Sequence, residues 1–155
     1  MITVRTAQAG LVARIREALK EHVGPGQTDK ILTEAITADA RAAGAAFAQL
    51  APDKPSLAHF ATVLARWQED DALVLEGVTL TESSLSFSVT RCAYASGYAN
   101  MGLDPELGYT LSCSRDEPFA QGYSPRLSMR RSDTIMQGAP ACLFTFVWNE
   151  HPSKQ

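Results

Sequence analysis

The stretch that decides the fold is LSFSVT, residues 85–90. Its apolar residues Leu85, Phe87 and Val89 alternate with serine and threonine, a period of two that is typical of a strand with one face in the core. A second alternation runs over residues 142–148. Each of these strands is preceded by another apolar stretch and a turn-like segment. The preceding stretches are residues 73–80 and 127–131. We therefore predict two antiparallel hairpins.

The first 70 residues have a helical period instead. Apolar side chains recur every three or four positions from Leu11 to Val23, and Gly24-Pro25-Gly26 predicts the end of that helix. Thr28 is expected to cap a second, alanine-rich helix, whose small side chains permit close packing. Ser56 is expected to cap a third helix.

A further helical segment separates the two hairpins. Asp104-Pro105-Glu106 combines an acidic cap, a first-turn proline and a first-turn acid, and predicts a helix that continues to about Gln121 and ends at Gly122. Helices around a roughly four-stranded antiparallel sheet place the chain in the α+β class. We expect one domain over residues 1–150, with a helical half at 1–70, a sheet half at 71–150, and a loose tail at 151–155.

Composition excludes several functional classes. The 155 residues carry a formal net charge of -3, which argues against a nucleic-acid or anionic-membrane surface. The start lacks the apolar core of a signal peptide, and no apolar run is long enough for a membrane helix. We expect a cytoplasmic protein. Trp67, Trp148 and the alanine-rich helix leave a homodimer open, although core packing explains them equally well.

No cofactor is predicted. The glycines show neither the phosphate-loop nor the dinucleotide spacing. Three cysteines, at spacings of no disulfide framework, are expected to be reduced. They lack the short ligand spacings of a zinc site, so no metal is predicted either.

Two arginines are expected at the edge of the core. Strand parity places Arg91 on the face of Val89, and Arg131 on the face of Met129. An arginine on an apolar face is too costly to leave unpaired. Each therefore needs a carboxylate, which either the protein or a ligand supplies.

The helix after Pro105 offers carboxylates. Helical spacing places Glu106, Cys113 and Asp116 along one stripe of a continuous helix. Two interpretations compete for the acids. They belong to a functional site, or Glu106 only stabilises the helix N-terminus and Asp116 only neutralises an arginine, since ion-pair networks resemble functional sites.

The three cysteines differ in their surroundings. Cys92 lies where a strand gives way to a helix, so backbone N–H groups are expected to lower the pKa of its thiol. Cys113 lies within a helix, and its activation would need a neighbouring arginine. Cys142 begins an aromatic strand face and is interpreted as core.

From about Val89 to Phe146 the chain resembles the L-2-amino-thiazoline-4-carboxylic acid hydrolase family. The matching phrases are Thr90-Arg91-Cys92-Ala93-Tyr94, Glu106-Leu107-Gly108, Cys113 with Asp116, Phe119 with Gly122, Arg131-Ser132, Thr134-Ile135-Met136, Gly138 and Cys142-Leu143-Phe144. Threonine is usual in the family at Ser132, aspartate is frequent at Leu143 and arginine at Thr145. These last two departures would imply another substrate if the polar residues contact it. The layout is further similar to vinyl-reductase-like ligand-binding domains.

The resemblance implies a small-molecule hydrolase that opens a cyclic C–N bond of a carboxylate-bearing heterocycle. The expected substrate-binding residues are Arg91 or Arg131 for the carboxylate, Tyr94, and Thr134. Hydrolysis needs a thiolate nucleophile or an acid that activates water. The candidates for these roles are Cys92, Cys113, Glu106 and Asp116. The alternative is a non-catalytic ligand-binding or accessory domain of a biosynthetic pathway.

Overall fold

The computed structural model describes residues 2–152 and confirms the α+β prediction. The helices are α1 Ile2–Val23, α2 Pro25–Ala48, α3 Leu57–Ala61, α4 Val63–Trp67, α5 Ala93–Asn100, α6 Pro105–Leu111 and α7 Asp116–Tyr123. The strands are β1 Leu73–Leu80, β2 Ser84–Cys92, β3 Leu127–Arg130 and β4 Cys142–Trp148. Short 3-10 helices cover Glu69–Asp71, Cys113–Arg115 and Ile135–Gln137.

The N-terminal helices largely follow their capping residues. Ser56 caps α3 as predicted, and its hydroxyl accepts a hydrogen bond from the His59 N–H. Helix α2 begins at Pro25 rather than near Thr28, because proline suits the first helical position and Gly24 takes a φ of 81° just before it. The Thr28 hydroxyl instead lies within α2 and donates to the Gly24 carbonyl at 2.8 Å.

The sheet is antiparallel with the order β1-β2-β4-β3, so the last strand of the chain lies beside β2. Leu85 is opposite Phe146 and Phe87 is opposite Phe144, and all four side chains are buried. The rings of Phe87 and Phe144 stack with centroids 4.9 Å apart. The predicted apolar faces of the two strands thus form the floor of the main core.

A bulge near the end of β2 reverses the side-chain parity there. Val74 pairs with Arg91 but Leu75 pairs with Val89, which leaves Thr90 as an extra residue on β2. The face of Val89 therefore continues with Cys92, and Arg91 is exposed to solvent. The expectation that Arg91 lies at the edge of the core is wrong, because strict alternation does not continue through a bulge.

The predicted helix from Pro105 to Gln121 is interrupted. Helix α6 ends at Leu111, Ser112 takes a φ of −118° and a ψ of −68°, and a 3-10 turn separates it from α7. The expected stripe of Glu106, Cys113 and Asp116 along one helix is therefore wrong. The predicted N-cap is confirmed, since an Asp104 carboxylate oxygen accepts a hydrogen bond from the Glu106 N–H.

Helices α2 and α7 cross at two glycines. A Cβ on Gly122 would lie 2.1 Å from the Arg41 carbonyl oxygen, and one on Gly44 would lie 2.0 Å from the Phe119 carbonyl oxygen. Gly122 was predicted to end its helix, but it lies inside α7. Glycine is needed here because any side chain would collide with the backbone of α2. The crossing holds α7 against the alanine-rich face of α2.

The structure describes only the first two residues of the predicted tail. Of the predicted tail, His151 and Pro152 are exposed, and residues 153–155 lie outside the described range. Among the described residues, no helix combines the length and the apolar character that crossing a membrane requires.

Candidate functional site

A cavity of about 530 Å³ lies between the helices and the inner face of the sheet. Val89 and Phe144 contribute its floor, and α2, α4 and α7 its apolar walls. The polar lining comes from the first turns of α1, Arg66 of α4, the start of α5, the 3-10 turn at Cys113–Arg115, Asp116 at the start of α7, and Arg131 just after β3. Leu50 and Arg66 line it too and are exposed, so the cavity opens to solvent near them.

Five of the predicted site residues line this cavity together. They are Cys92, Tyr94, Cys113, Asp116 and Arg131. Cys142, interpreted as a core residue, is buried and lines the cavity as well. The fold thus brings the thiols, one acid and one arginine to a common wall. The three thiols come from three different elements: the end of β2, the 3-10 turn after α6, and the start of β4.

Three predicted site residues lie elsewhere. Arg91 points to solvent because of the bulge in β2. Glu106 is exposed and lines a separate cavity of about 170 Å³ beside Arg16, because the helix that should have carried it towards Asp116 is interrupted. Thr134 is buried, and its hydroxyl accepts a hydrogen bond from the Gln137 N–H as the cap of a 3-10 helix. The structure therefore does not bring these three side chains together with the thiols.

Asp116 and Arg131 form an ion pair at the cavity wall. Arg131 Nη1 donates to Asp116 Oδ2, and Nη2 donates to the Cys113 carbonyl at 3.0 Å. The Arg131 side chain is only 4% exposed, whereas that of Asp116 is 24% exposed. Burial raises the pKa of Asp116 to about 6, although Arg131 acts in the opposite direction. The carboxylate that Arg131 was predicted to need comes from the protein.

All three thiols are held in the protonated form. Burial, followed by the nearby Asp116 charge, raises the pKa of Cys113 to about 12. Burial also raises the pKa of Cys92, against the backbone amides of Ala95 and Tyr94. The expected lowering of the Cys92 pKa is therefore wrong in its net direction, because desolvation exceeds the effect of the helix start. The pKa of Cys142 is raised by burial too.

Sequence patterns did not indicate two further arginines at the polar end. Arg115 lines the cavity and pairs with Asp39, with 2.5 Å between its Nη2 and the carboxylate. Arg5 is half-buried, and burial followed by the Arg115 charge lowers its pKa. Among residues 2–152, Arg5 has no hydrogen-bond or ion-pair partner. Arg115 directly precedes Asp116 in the sequence, and this neighbour could have indicated that Arg115 belongs to the site. Helical periodicity gives no such indication for Arg5.

The charge of the cavity lining is positive. Within the part of the chain that the structure describes, it is lined by the four arginines Arg5, Arg66, Arg115 and Arg131 and by one acid, Asp116. Part of this charge is balanced, since Arg115 also pairs with Asp39 outside the cavity. The cavity therefore favours an anionic guest.

No cluster suited to a metal ion is found in the described part of the chain. Within residues 2–152, no group of three or more histidine, cysteine, aspartate or glutamate side chains has the arrangement to hold a metal. The three cysteines share a cavity wall without forming such a group.

A family model describes this chain over nearly its whole length. The model of L-2-amino-thiazoline-4-carboxylic acid hydrolase matches residues 5–146. The chain belongs to this family. The matched range contains every residue that lines the large cavity, from Arg5 to Phe144. No significant match to a curated protein sequence is found.

Among solved structures, the chain is similar to the phenol-responsive sensory domain of the transcription activator PoxR, determined with phenol. The TM-score is 0.56 at 10% sequence identity, and the match covers 90% of this chain and 73% of that chain. At this identity the likeness shows the fold alone. It agrees with the predicted α+β layout.

The two polar departures from the family lie outside the cavity. Leu143 is 60% exposed, and Thr145 accepts a hydrogen bond from Ser86 on the outer face of the sheet. Both alternate with the buried Cys142, Phe144 and Phe146. Neither position therefore contacts a guest in the cavity, and these substitutions give no sign of a changed substrate there.

Proposed function

We propose that this protein hydrolyses a cyclic C–N bond of a carboxylate-bearing heterocycle in the large cavity. The observation that carries the proposal is Asp116, an acid at the wall of an apolar cavity with a pKa raised to about 6. A general acid or base works best when its pKa is near the working pH. Family membership supports the reaction type, since the family is named for a hydrolase.

Asp116 would act first as a base and then as an acid. Its carboxylate takes a proton from a water molecule while the oxygen of that water bonds to the amidine-like carbon of the ring. That proton passes to the ring nitrogen, which becomes N–H in a tetrahedral intermediate. Asp116 then takes the proton of the new hydroxyl and delivers it to the same nitrogen, so that a C=O bond forms, the C–N bond breaks, the nitrogen leaves as a primary amine and Asp116 is again ionised. Arg131 holds the Asp116 carboxylate in position throughout.

The cationic end of the cavity would bind the substrate carboxylate. Arg5 and Arg115 line it, and a guanidinium binds a carboxylate through two parallel hydrogen bonds. Tyr94 lines the same end, and its pKa is raised by burial, so it stays protonated and is able to donate a hydrogen bond.

The raised pKa values of the thiols favour water activation over a thiolate nucleophile. At neutral pH a thiol such as Cys113, with a pKa raised to about 12, is almost entirely protonated and a poor nucleophile. In this mechanism Cys92 and Cys113 act as small apolar parts of the cavity wall.

Turnover assays on the purified protein test the proposal. We expect the protein to convert 2-amino-thiazoline-4-carboxylate or a related ring acid to an open-chain product, followed by mass spectrometry. Cys92→Ala and Cys113→Ala are each expected to keep activity within about tenfold of the wild type, since a general base remains. If either thiol variant binds the ring acid but does not open it, a thiolate mechanism replaces the one proposed.

A non-catalytic ligand-binding domain is the second candidate. It is favoured by the fold likeness to a sensory domain solved with a small aromatic molecule. Saturable binding of ring acids by wild-type protein, with no product formed at long incubation, would support this candidate against the hydrolase.

A further inference from the structure

The large cavity is much bigger than the ring for which the family is named. A cavity of ~150 Å³ already accommodates benzene. The cavity here measures about 530 Å³, whereas 2-amino-thiazoline-4-carboxylic acid has a single five-membered ring. Volumes of ~300–1,000 Å³ are typical of sites that enclose drug-sized molecules. A ligand that fills this site needs a substantial body in addition to one small ring.

Three of the four arginines that line the cavity, Arg5, Arg115 and Arg131, all act electrostatically on Asp116 and so lie around it. Arg5 and Arg115 are close enough for the charge of one to lower the pKa of the other, after the effect of burial on Arg5. Tyr94 and Asp116 interact electrostatically with Arg5 as well. Asp39 and Asp116 act on Arg5 only at a distance, because no acid among residues 2–152 forms a direct ion pair with it. This end is therefore suited to one anionic head group.

Another part of the cavity is mainly aromatic and apolar, with the exposed Arg66 over the Phe47 ring, 5.2 Å from its centroid. The ring of Phe119 lies 6.0 Å from that of Phe47 and 6.1 Å from that of Trp67, between centroids. All three rings line the cavity, together with Ala43 and Ala46 of α2. The small alanine side chains leave the space open, and the rings offer faces for stacking.

We propose that the natural ligand of this cavity is an amphipathic carboxylate, with one carboxylate head and an apolar, ring-containing body well beyond a single five-membered ring. The head binds at Arg5 and Arg115, and the body lies against Phe47, Trp67 and Phe119. This inference rests on the site of the proposed function and specifies its substrate class.

Binding of non-hydrolysable acids tests the inference separately from catalysis. Titration calorimetry on the full chain would compare acetate, butyrate, octanoate, 4-phenylbutyrate and 2-naphthylacetate, with 4-phenylbutanamide as the uncharged match. Affinity is expected to rise about two- to fourfold per added methylene, because each buried methylene contributes up to ~0.8 kcal/mol. The amide is expected to bind about tenfold or more weakly than its acid, since it lacks the charge-assisted hydrogen bonds.

Paired variants locate the two ends. Arg5→Gln should weaken 4-phenylbutyrate about tenfold and leave the amide unchanged, whereas Arg14→Gln, an exposed arginine of the same helix outside the cavity lining, should change neither. Ala46→Leu should weaken 2-naphthylacetate about tenfold and spare acetate, because it fills the apolar end. Ala42→Leu, exposed on α2 and outside the lining, is its matched control.

Each outcome decides between the inference and the function beneath it. Affinities that do not change with the size of the acid, equal binding of acid and amide, or no effect of Ala46→Leu would overturn the inference. If the small ring acid is hydrolysed while the larger acids do not bind, the proposed function stands and the inference fails. If the larger acids bind as expected while no ring acid is opened, the inference stands and the hydrolase function fails.

Discussion

Two arginines of this protein, Arg16 and Arg131, have almost fully buried side chains that pair with acids. The surroundings of the two pairs differ. Arg16 of α1 is 9% exposed and contacts Asp29 at 3.1 Å and Asp104 at 3.2 Å. Arg131 is 4% exposed and contacts Asp116. The acids of the Arg16 cluster (Arg16, Asp29 and Asp104) are 52% and 45% exposed, whereas Asp116 is 24% exposed and faces the large cavity.

The difference shows that a buried arginine is not in itself a sign of function. In the Arg16 cluster, two well-hydrated acids neutralise one arginine and join α1 to α2 and α6. In the Arg131 cluster (Arg131, Asp116 and the Cys113 carbonyl), the single acid is desolvated, and its pKa is raised to about 6. An acid whose protonation changes near neutral pH beside an open cavity is suited to proton transfer, and a hydrated acid in a closed network is not.

The largest expected effect separates the acids of the two clusters. Asp116→Asn should lower kcat for a ring acid by about 10²–10⁴-fold, the usual contribution of a general acid or base. Asp29→Asn should leave kcat unchanged, because Arg16 keeps Asp104. Initial rates for both variants, with folding checked by circular dichroism, test this. Equal activity of the two variants would show that Asp116 is not the general base. The functional difference between the Arg131 cluster and the Arg16 cluster would then be lost as well.

The second effect concerns stability. Arg131→Leu should lower the free energy of unfolding by about 3–5 kcal/mol, since it leaves a desolvated acid without its partner. Arg16→Leu should cost only about 1 kcal/mol, because its acids remain hydrated. Urea denaturation measures both. The double variant Arg131→Leu with Asp116→Leu should recover most of the loss, because apolar replacement of a buried pair is close to neutral. No recovery would mean that packing, not charge, explains the Arg131 effect.

The third effect is a dependence on pH that the Arg131 cluster alone should show. Activity should rise with pH through about 6 as Asp116 ionises. Stability should change in the opposite sense. The folded state binds more protons than the unfolded state between the ordinary pKa of 3.8 and about 6, so the free energy of unfolding falls as pH rises through that window. Both trends should vanish in Asp116→Asn and persist in Asp29→Asn, as measured by pH–rate profiles and urea denaturation at each pH.

The smallest effect is expected at Glu106. This acid is exposed in the first turn of α6, close to the Arg16 cluster and outside the large cavity. Glu106→Gln should leave kcat unchanged and lower the free energy of unfolding by no more than about 0.5 kcal/mol, the loss of its interaction with the helix dipole. A large loss of turnover in this variant would show that the two regions are coupled.

Much of the fold was predictable because its signals are local. The alternation from Leu85 to Val89 and from Cys142 to Phe146 indicates which faces of β2 and β4 are buried, and the structure confirms both. Ser56 and Asp104 cap helices as their residue types predict. Side-chain periodicity and capping depend on neighbours within a few residues, which are visible in the sequence.

The candidate site was only partly predictable. Arg131 was correctly expected near an acid, but Arg91 was placed on the wrong face because one extra residue in β2 shifts the parity. Glu106 was separated from Asp116 by a break at Ser112 that helix spacing does not reveal. Arg5 reaches the cavity from about a hundred residues away along the chain, a distance over which no local pattern carries information.

The sequence by itself determined the α+β class, the buried strand faces, the starts of α3 and α6, and a group of thiols, an acid and an arginine in the last third of the chain. The tertiary structure alone decided which of these side chains share a cavity, that Arg5 and Arg115 join them, and that the thiols are protonated. The physical reason is that desolvation and charge pairing depend on which atoms surround a group in space. Those surroundings are produced by the bulge in β2, the helix break at Ser112, and the crossing of α2 and α7 at Gly44 and Gly122.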